Sequence, residues 1–377
     1  MRKRVLVVHP YLLPTSGGNG LGAWVCQALH DDYDVTLLAR HDPDLNEVNR
    51  SYGTSLSKHT LKVEVYEEPR WITQLPLRLT LARSFLLARA ARARAADFDI
   101  VFSTDDETDL GPRGIQYVSF PKFLLPRPTS EPKRWFDMLP LLRAYYRLAA
   151  LSTGFSLRRM RRNRTLAISN WSAQLIRRTH GIDSTRVFPP APGAFAPVEW
   201  ERREQGFVLI SRMHPEKRLE LAIDIVDRLR RRGHALTLHI VAARDDEAYG
   251  QRIRQRVQKA SSWLTLSTDI SRQQLADVVT GHRFGIHAAA EEHFGMAVAE
   301  LVCAGCIVFV PRGGGQVEIV GEDARLTYVN ADDAVDKIER VLTDSRVQDD
   351  VRAMLDARRH LFSTEQFVSQ IRAVVAE

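Results

Sequence analysis

Alternation of strand-like and helix-like stretches constrains this chain more than any other feature. From residue 207, apolar runs at 207–210, 236–241, 263–266 and 284–287 alternate with amphipathic stretches at 219–230, 249–259 and 272–279. Short apolar runs separated by 3.6-period segments predict parallel strands joined by helices, with both sheet faces covered. The start of the chain has the same pattern: a strand at 4–9, a Gly-rich loop at 14–20, a helix at 21–29 and a strand at 34–39. Further strands are expected at 61–66, 100–103, 115–119 and 165–168, and an Arg-rich helix at 77–94. With 377 residues the chain exceeds one ordinary core. The expected fold class is therefore α/β, with two Rossmann-like parallel-sheet domains at 1–188 and 206–360 facing a central cleft. The Pro-rich stretch at 189–205 reads as the linker, and 361–377 as a terminal helix packing back on the first domain. Ligands of such sheets bind at strand carboxyl ends, so the cleft is the expected site.

Charge narrows the partners. The formal net charge is +7, and residues 133–164 hold nine basic residues and one acid, Asp137. Trp135, Phe136, Tyr145, Tyr146 and Phe155 are interleaved with them. A basic, aromatic, amphipathic segment suits an anionic membrane surface. No nucleic-acid motif accompanies the charge, so nucleic acid is not an expected partner. No run of 18 or more apolar residues occurs. The apolar run at 5–8 is too short for a signal core, which points to a cytoplasmic protein, peripheral at the inner face of the cell membrane. Cys303 and Cys306 match C-x-x-C, but without a second pair they read as core residues rather than a zinc or redox site.

The densest chemistry lies at 291–320. Glu292 and Glu300 bracket Phe294-Gly295, where a helix is expected to begin. Gly305 ends it, a buried strand follows at 307–310, and the Gly313–Gly315 run opens another helix with Glu318 in its first turn. Two helix N-termini beside strand ends make an anion site. Glu300 is expected about two helical turns deeper than Glu292. Ser211-Arg-Met-His-Pro-Glu-Lys217 follows the first strand of the second half, so Arg212 and Lys217 can hold a diphosphate and stabilise it as a leaving group.

Together these motifs resemble family 4 of the retaining, nucleotide-sugar-dependent glycosyltransferases, also called glycosyl transferases group 1. The resemblance rests on Arg212, Pro215-Glu-Lys217, Gly285-Ile-His287, Glu291-Glu-His-Phe-Gly295, Glu300, Gly313-Gly314 and Glu318, and in the first half on His9-Pro-Tyr11, Gly17-Gly18, Tyr117-Val-Ser-Phe-Pro121 and Pro189-Pro190. Within the family, His-Pro-Tyr and Glu-His-Phe-Gly look most like dolichol-linked oligosaccharide mannosyltransferases and their prokaryotic relatives. The resemblance implies the two-domain GT-B fold. It also implies roles: Arg212 and Lys217 on the donor diphosphate, and Gly17 and Gly18 closing on the phosphate. Glu292, with the backbone N–H groups of Phe294, Gly295 and Met296, would hold the donor sugar and distal phosphate. Glu300 would hold the ribose, and His287 and His293 would line the site. Glu292 is the first catalytic candidate. The second is Ser119, which stands where the family commonly carries a His before an aromatic and Pro; a serine cannot serve as a base near neutral pH.

The implied activity is transfer of a hexose, mannose or glucose, from a GDP- or UDP-sugar. The acceptor would be a glycan or lipid-linked molecule in cell-surface polysaccharide or glycolipid biosynthesis. No cofactor or metal is expected, because Arg and Lys supply the charge. The acidic run Thr104-Asp-Asp-Glu-Thr-Asp109 is accordingly not read as a metal site. Ser119 keeps open an alternative, an inactive sugar-nucleotide-binding partner in a biosynthetic complex. A nicotinamide-dependent dehydrogenase is disfavoured, since strict G-x-G-x-x-G is absent from 17–22 and the basic pair lies in the second half.

Overall fold

The computed structural model describes residues 2–13, 17–74, 79–111, 114–123, 139–193, 195–243 and 246–377, the side chains of Trp71 and Leu139 excepted. The Pro14–Ser16 end of the Gly-rich loop, Leu77, Arg78, and the Lys133, Trp135, Phe136 and Asp137 part of the basic segment lie outside them. The chain forms two compact units, Met1–Pro190 with Thr364–Glu377, and Ala191–Ser363.

The first unit holds β1 (Arg4–Val8), β2 (Asp34–Ala39), β3 (Leu61–Val65), β4 (Ile100–Ser103), β5 (Gly114–Val118), β6 (Arg164–Ala167) and β7 (Thr185–Arg186). Their order is β3-β2-β1-β4-β5-β6-β7, and every pairing is parallel. Val5 to Val8 are fully buried, as expected of a central strand covered on both faces. The helix after β1 runs Gly17–Leu29, four residues earlier at its start than its apolar pattern indicated. Glycine is needed inside it: a Cβ on Gly22 would come 2.7 Å from the His9 ring. The Arg-rich helix is described over Thr80–Arg94. Helix Thr364–Ala376 packs on Gly17–Leu29, with Arg372 donating to Ala28 O at 2.8 Å and Arg164 donating to Val374 O at 2.8 Å.

The second unit holds β8 (Glu204–Arg212), β9 (Thr237–Ala243), β10 (Leu264–Thr268), β11 (His282–Ile286), β12 (Ile307–Pro311) and β13 (Thr327–Tyr328), in the order β10-β9-β8-β11-β12-β13. The strand read at 207–210 is nine residues long, because its flanks Glu204 and Arg212 stay in the ladder although they are polar. The linker reading of 189–205 is corrected in the same way. From Ala191 onward this stretch belongs to the second unit: Ala191 N donates to Phe362 O at 2.9 Å, and Trp200 is buried beside Phe284. The order reverses between β8 and β11, so ligand-competent loops follow β8, β11 and β12.

Candidate functional site

Three loops of the second unit meet at the carboxyl ends of β8, β11 and β12. After β8, residues Pro215–Lys217 form one 3-10 turn, and Arg218, left-handed at φ 51°, redirects the chain into helix Leu219–Arg231. After β11, residues 287–295 form an irregular loop with bends at Ala290, His293 and Phe294, and Gly295, at φ 106°, turns the chain into helix Met296–Cys303. A side chain there would be strained and would meet the Gln316 Cβ at 3.1 Å. After β12, the Gly313–Gly315 run leads into Gln316–Ile319. Gly314 packs so close that a Cβ on it would sit 2.4 Å from Glu292 O and 2.6 Å from Glu292 N.

These approaches fix Glu292. Gly315 N donates to Glu292 O at 2.7 Å, and Glu292 N donates to Gln316 Oε1 at 3.0 Å. The fully buried Gln316 also donates through Nε2 to Ala289 O and Ala290 O, each at 3.3 Å. The Glu292 carboxylate accepts a short charge-assisted hydrogen bond from Lys217 Nζ, and His287 Nε2 lies 3.3 Å from the same oxygen. Burial pushes the Glu292 carboxyl up, but His287 and Lys217 outweigh that and hold it well below the usual carboxylate range. It is therefore a fixed anion and hydrogen-bond acceptor at neutral pH, not a proton donor.

Glu300 opens the second half of helix Met296–Cys303, buried, with its carboxylate accepting from Arg272 Nη1 at 2.8 Å. Arg272 also donates to Pro192 O. The two-turn depth expected between Glu292 and Glu300 is corrected: only the part from Met296 is helical, and 292–295 is an irregular loop that bends at His293 and Phe294. Arg212 ends β8, with its side chain 43% exposed and paired to Glu216 at 2.9 Å. Phe294 is buried against Phe362, His293 sits between Glu292 and Phe294 in the loop, and Met296 opens the helix. The first-turn N–H groups of an eight-residue helix have no intrahelical acceptor. Thus Arg212, Lys217, His287, Glu292, His293, Phe294, Gly295, Met296 and Glu300 share one unit and its three loops.

Gly17, Gly18 and Ser119 belong to the other unit. Gly17 and Gly18 open helix Gly17–Leu29. Ser119 follows β5; its N–H donates to Asp106 Oδ1 at 2.7 Å and its carbonyl accepts from Ser172 Oγ at 2.8 Å, while its hydroxyl makes no hydrogen bond among the described residues. The acids of 104–109 are each held by protein groups. Asp105 pairs with Lys122 at 2.8 Å, Glu107 meets His180 at 2.9 Å, and Asp109 meets Arg159 at 2.7 Å and Arg92 at 2.9 Å. Burial pushes Asp106 up to about 7; Lys122 pulls it down, and Glu107 and Asp105 push it further up.

Sequence reasoning missed Gln316 and Arg272. Gln316 follows the glycine run directly, and an amide there is the only hint. Arg272 begins helix Arg272–Thr280 like any surface residue, and nothing near it in sequence points to Glu300.

The match to known proteins falls on this unit: residues 195–358 match the family Glycosyl transferases group 1. The second unit is a group 1 glycosyl transferase domain. A curated relative is the GDP-Man:Man(3)GlcNAc(2)-PP-Dol alpha-1,2-mannosyltransferase of Candida glabrata, 33% identical over 132 residues, which are 32% of this chain and 26% of that protein. The match thus spans about a quarter of that relative's length. Among solved structures, Anabaena HepE in complex with UDP-glucose superposes with a TM-score of 0.70 at 12% identity, covering 100% of both chains. Sucrose-phosphate synthase from Thermosynechococcus elongatus gives 0.71 at 15% identity, covering 100% of this chain and 98% of that one. These likenesses show the GT-B fold, two Rossmann-like parallel-sheet units. In the group 1 domain, the fixed Glu292 anion, the Lys217 and Arg212 cations and the helix N-termini all face the loops at the strand ends. No helix among the described residues is long and apolar enough to cross a membrane.

Proposed function

We propose that the protein transfers a hexose, with retention at the anomeric carbon, from a nucleotide diphosphate sugar to a glycan or lipid-linked acceptor. The observation that carries this reading is the Lys217–Glu292–His287 cluster at two helix N-termini, with the buried Glu300 in one of those helices, Met296–Cys303. Phosphate oxygens suit Lys217, Arg212 and the N–H groups that open helix Met296–Cys303. Sugar hydroxyls suit the ionised Glu292, and ribose hydroxyls suit Glu300. Lys217 and Arg212 supply the positive charge for the leaving diphosphate, so the reading requires no metal ion. Attack comes from the face the diphosphate leaves, and the departing phosphate takes the acceptor proton, so the step needs no protein base. The curated relative, whose name specifies GDP-mannose, favours a mannosyl donor, while UDP-glucose in the Anabaena structure keeps glucose in the panel. Synthesis of cell-surface polysaccharide or glycolipid is the setting we infer.

Helix Leu139–Thr153 supports a lipid-linked acceptor. It exposes Leu141 (52%), Leu148 (66%) and Leu151 (80%) beside exposed Arg143 and Arg147, and contains no acid. That surface suits peripheral contact with the anionic inner face of a cell membrane. Arg158, Arg161 and Arg162 add exposed charge, but Arg159 is committed to Asp109. Leu148→Ser with Leu151→Ser is expected to lower co-sedimentation with anionic vesicles; unchanged binding removes the membrane surface from the reading.

The direct test is a thermal-shift panel of GDP- and UDP-sugars followed by donor hydrolysis and transfer. Binding with turnover, lost in Lys217→Ala, supports the transferase. Binding without any hydrolysis or transfer supports the second reading, an inactive sugar-nucleotide-binding partner, which Ser119 favours. No binding of any nucleotide sugar refutes both.

A further inference from the structure

At the opposite edge of the second sheet, where β8, β11 and β12 begin, lies a cleft of about 460 Å³. Small-molecule sites typically enclose about 300–1,000 Å³. Arg203, Arg352 and Arg359 line it, with Trp200, Gly305 and Cys306. Arg203 stands just before β8 and is only 8% exposed. Its Nε donates to Val198 O at 3.1 Å and its Nη1 approaches His282 O at 3.5 Å, but Nη2 makes no hydrogen bond among the described residues. Arg359 Nε lies 3.0 Å from Asp356 and Arg352 Nη1 donates to Asp349 at 3.2 Å; the remaining terminal nitrogens of both are likewise without hydrogen bonds there. The Arg352 guanidinium lies 4.2 Å from the centre of the Trp200 ring, which holds it over the cleft.

The guanidinium groups of Arg203 and Arg359 converge where Gly305 leaves room. A Cβ on Gly305 would sit 2.7 Å from Arg359 Nη2 and 3.0 Å from Arg203 Nη2, so two like charges point at one spot. The bland explanation is that arginines neutralise the carboxyl end of helix Met296–Cys303. That accounts for their charge but leaves their donors unused, because none of the three arginines donates to a carbonyl of that helix. The nearest acids, Asp349 and Asp356, have side chains 74% and 65% exposed, and each meets one arginine from outside. Burial, then Arg359 and Arg352, press the Arg203 guanidinium below its usual value against an opposing pull from Cys306, as expected of a buried cation without a full counter-charge. Converging guanidinium donors with open terminal nitrogens match the oxygens of a phosphate.

We propose that this cleft binds a phosphate-bearing small molecule as an effector site separate from the Glu292 site. The two sites lie at opposite ends of the same strands, so the proposal does not depend on the transferase reading. The test uses the full chain carrying Lys217→Ala, which weakens the phosphate grip of the Glu292 site. Inorganic phosphate and a hexose 1-phosphate are titrated calorimetrically at constant ionic strength set with chloride. Arg352→Gln with Arg359→Gln is expected to weaken both ligands at least about tenfold, since each loses charge-assisted hydrogen bonds. Asp349→Asn with Asp356→Asn, at exposed positions that folding tolerates, is expected to tighten both. A hexose phosphate binding more tightly than inorganic phosphate assigns the rest of the cleft to the sugar; equal affinity assigns the site to phosphate alone. Absence of saturable binding, or one affinity in all three proteins, overturns the proposal.

Discussion

Replacing Lys217 by methionine tests the site at its most connected point. The change keeps the chain length and apolar stem but removes the ammonium that meets Glu292. Both side chains are largely buried, at 17% and 20% exposure, so the stranded carboxylate keeps His287 at 3.3 Å but loses its ammonium partner. Breaking a buried pair from one side costs about 3–5 kcal/mol, and partial exposure puts this case near 3. For a unit of this size that is a drop in unfolding midpoint of roughly 6–12 °C. Adding Glu292→Gln should recover most of the loss, giving a coupling of about 2 kcal/mol in a double-mutant cycle. The pH dependence has a definite sign. The folded Glu292 carboxyl is held below its ordinary value of 4.5, so its stabilisation is present above that pH and is lost as pH falls through the folded value. The gap between parent and Lys217→Met should therefore be widest near neutrality and close in acid. Chemical denaturation at several pH values, with and without GDP or UDP, reads all of this. A coupling under about 0.5 kcal/mol, or a gap that widens in acid, would falsify the pairing that defines the site.

Asp106→Asn should be more stable than the parent at pH 8, by up to about 4 kcal/mol. Because burial raises the folded carboxyl from 3.8 to about 7, the parent's stability from this group is intact in acid and lost as pH rises through that interval; urea melts at pH 4, 6 and 8 check it. Glu300→Ala should weaken nucleotide binding about tenfold or more through lost charged hydrogen bonds, while a nucleotide lacking ribose hydroxyls should bind parent and variant alike. Gly314→Ala should cost about 1–3 kcal/mol and most turnover, because its φ of 70° strains alanine and the new Cβ strikes the Glu292 backbone; wild-type turnover would show that Glu292 need not sit where it does.

The sheets were legible because parallel strands buried on both faces read as unbroken apolar runs, as at Val5 to Val8 and Ile307 to Val310. Strand ends were not, because Glu204 and Arg212 stay in the ladder through backbone bonds that side-chain polarity does not report. At the site, residue types were legible and pairings were not. Glu292 and Lys217 are 75 residues apart, Arg272 and Glu300 are 28 apart, and the acids of 104–109 find His180 and Arg159 only through the fold. These pairings change what the motif means. A carboxylate read from sequence is an open grip, whereas here Lys217 already holds Glu292 and Arg272 already holds Glu300. Binding a sugar nucleotide through them, as proposed, would be an exchange of partners rather than a net gain of two charged contacts. The desolvation of both carboxylates has been met in folding, so the ligand need supply only the difference between its hydroxyls and an ammonium or guanidinium. Ground-state affinity should accordingly be modest for so charged a site. On the proposed transferase reading, the strongest use of Lys217 would come when charge builds on the leaving diphosphate and competes with Glu292 for the same ammonium.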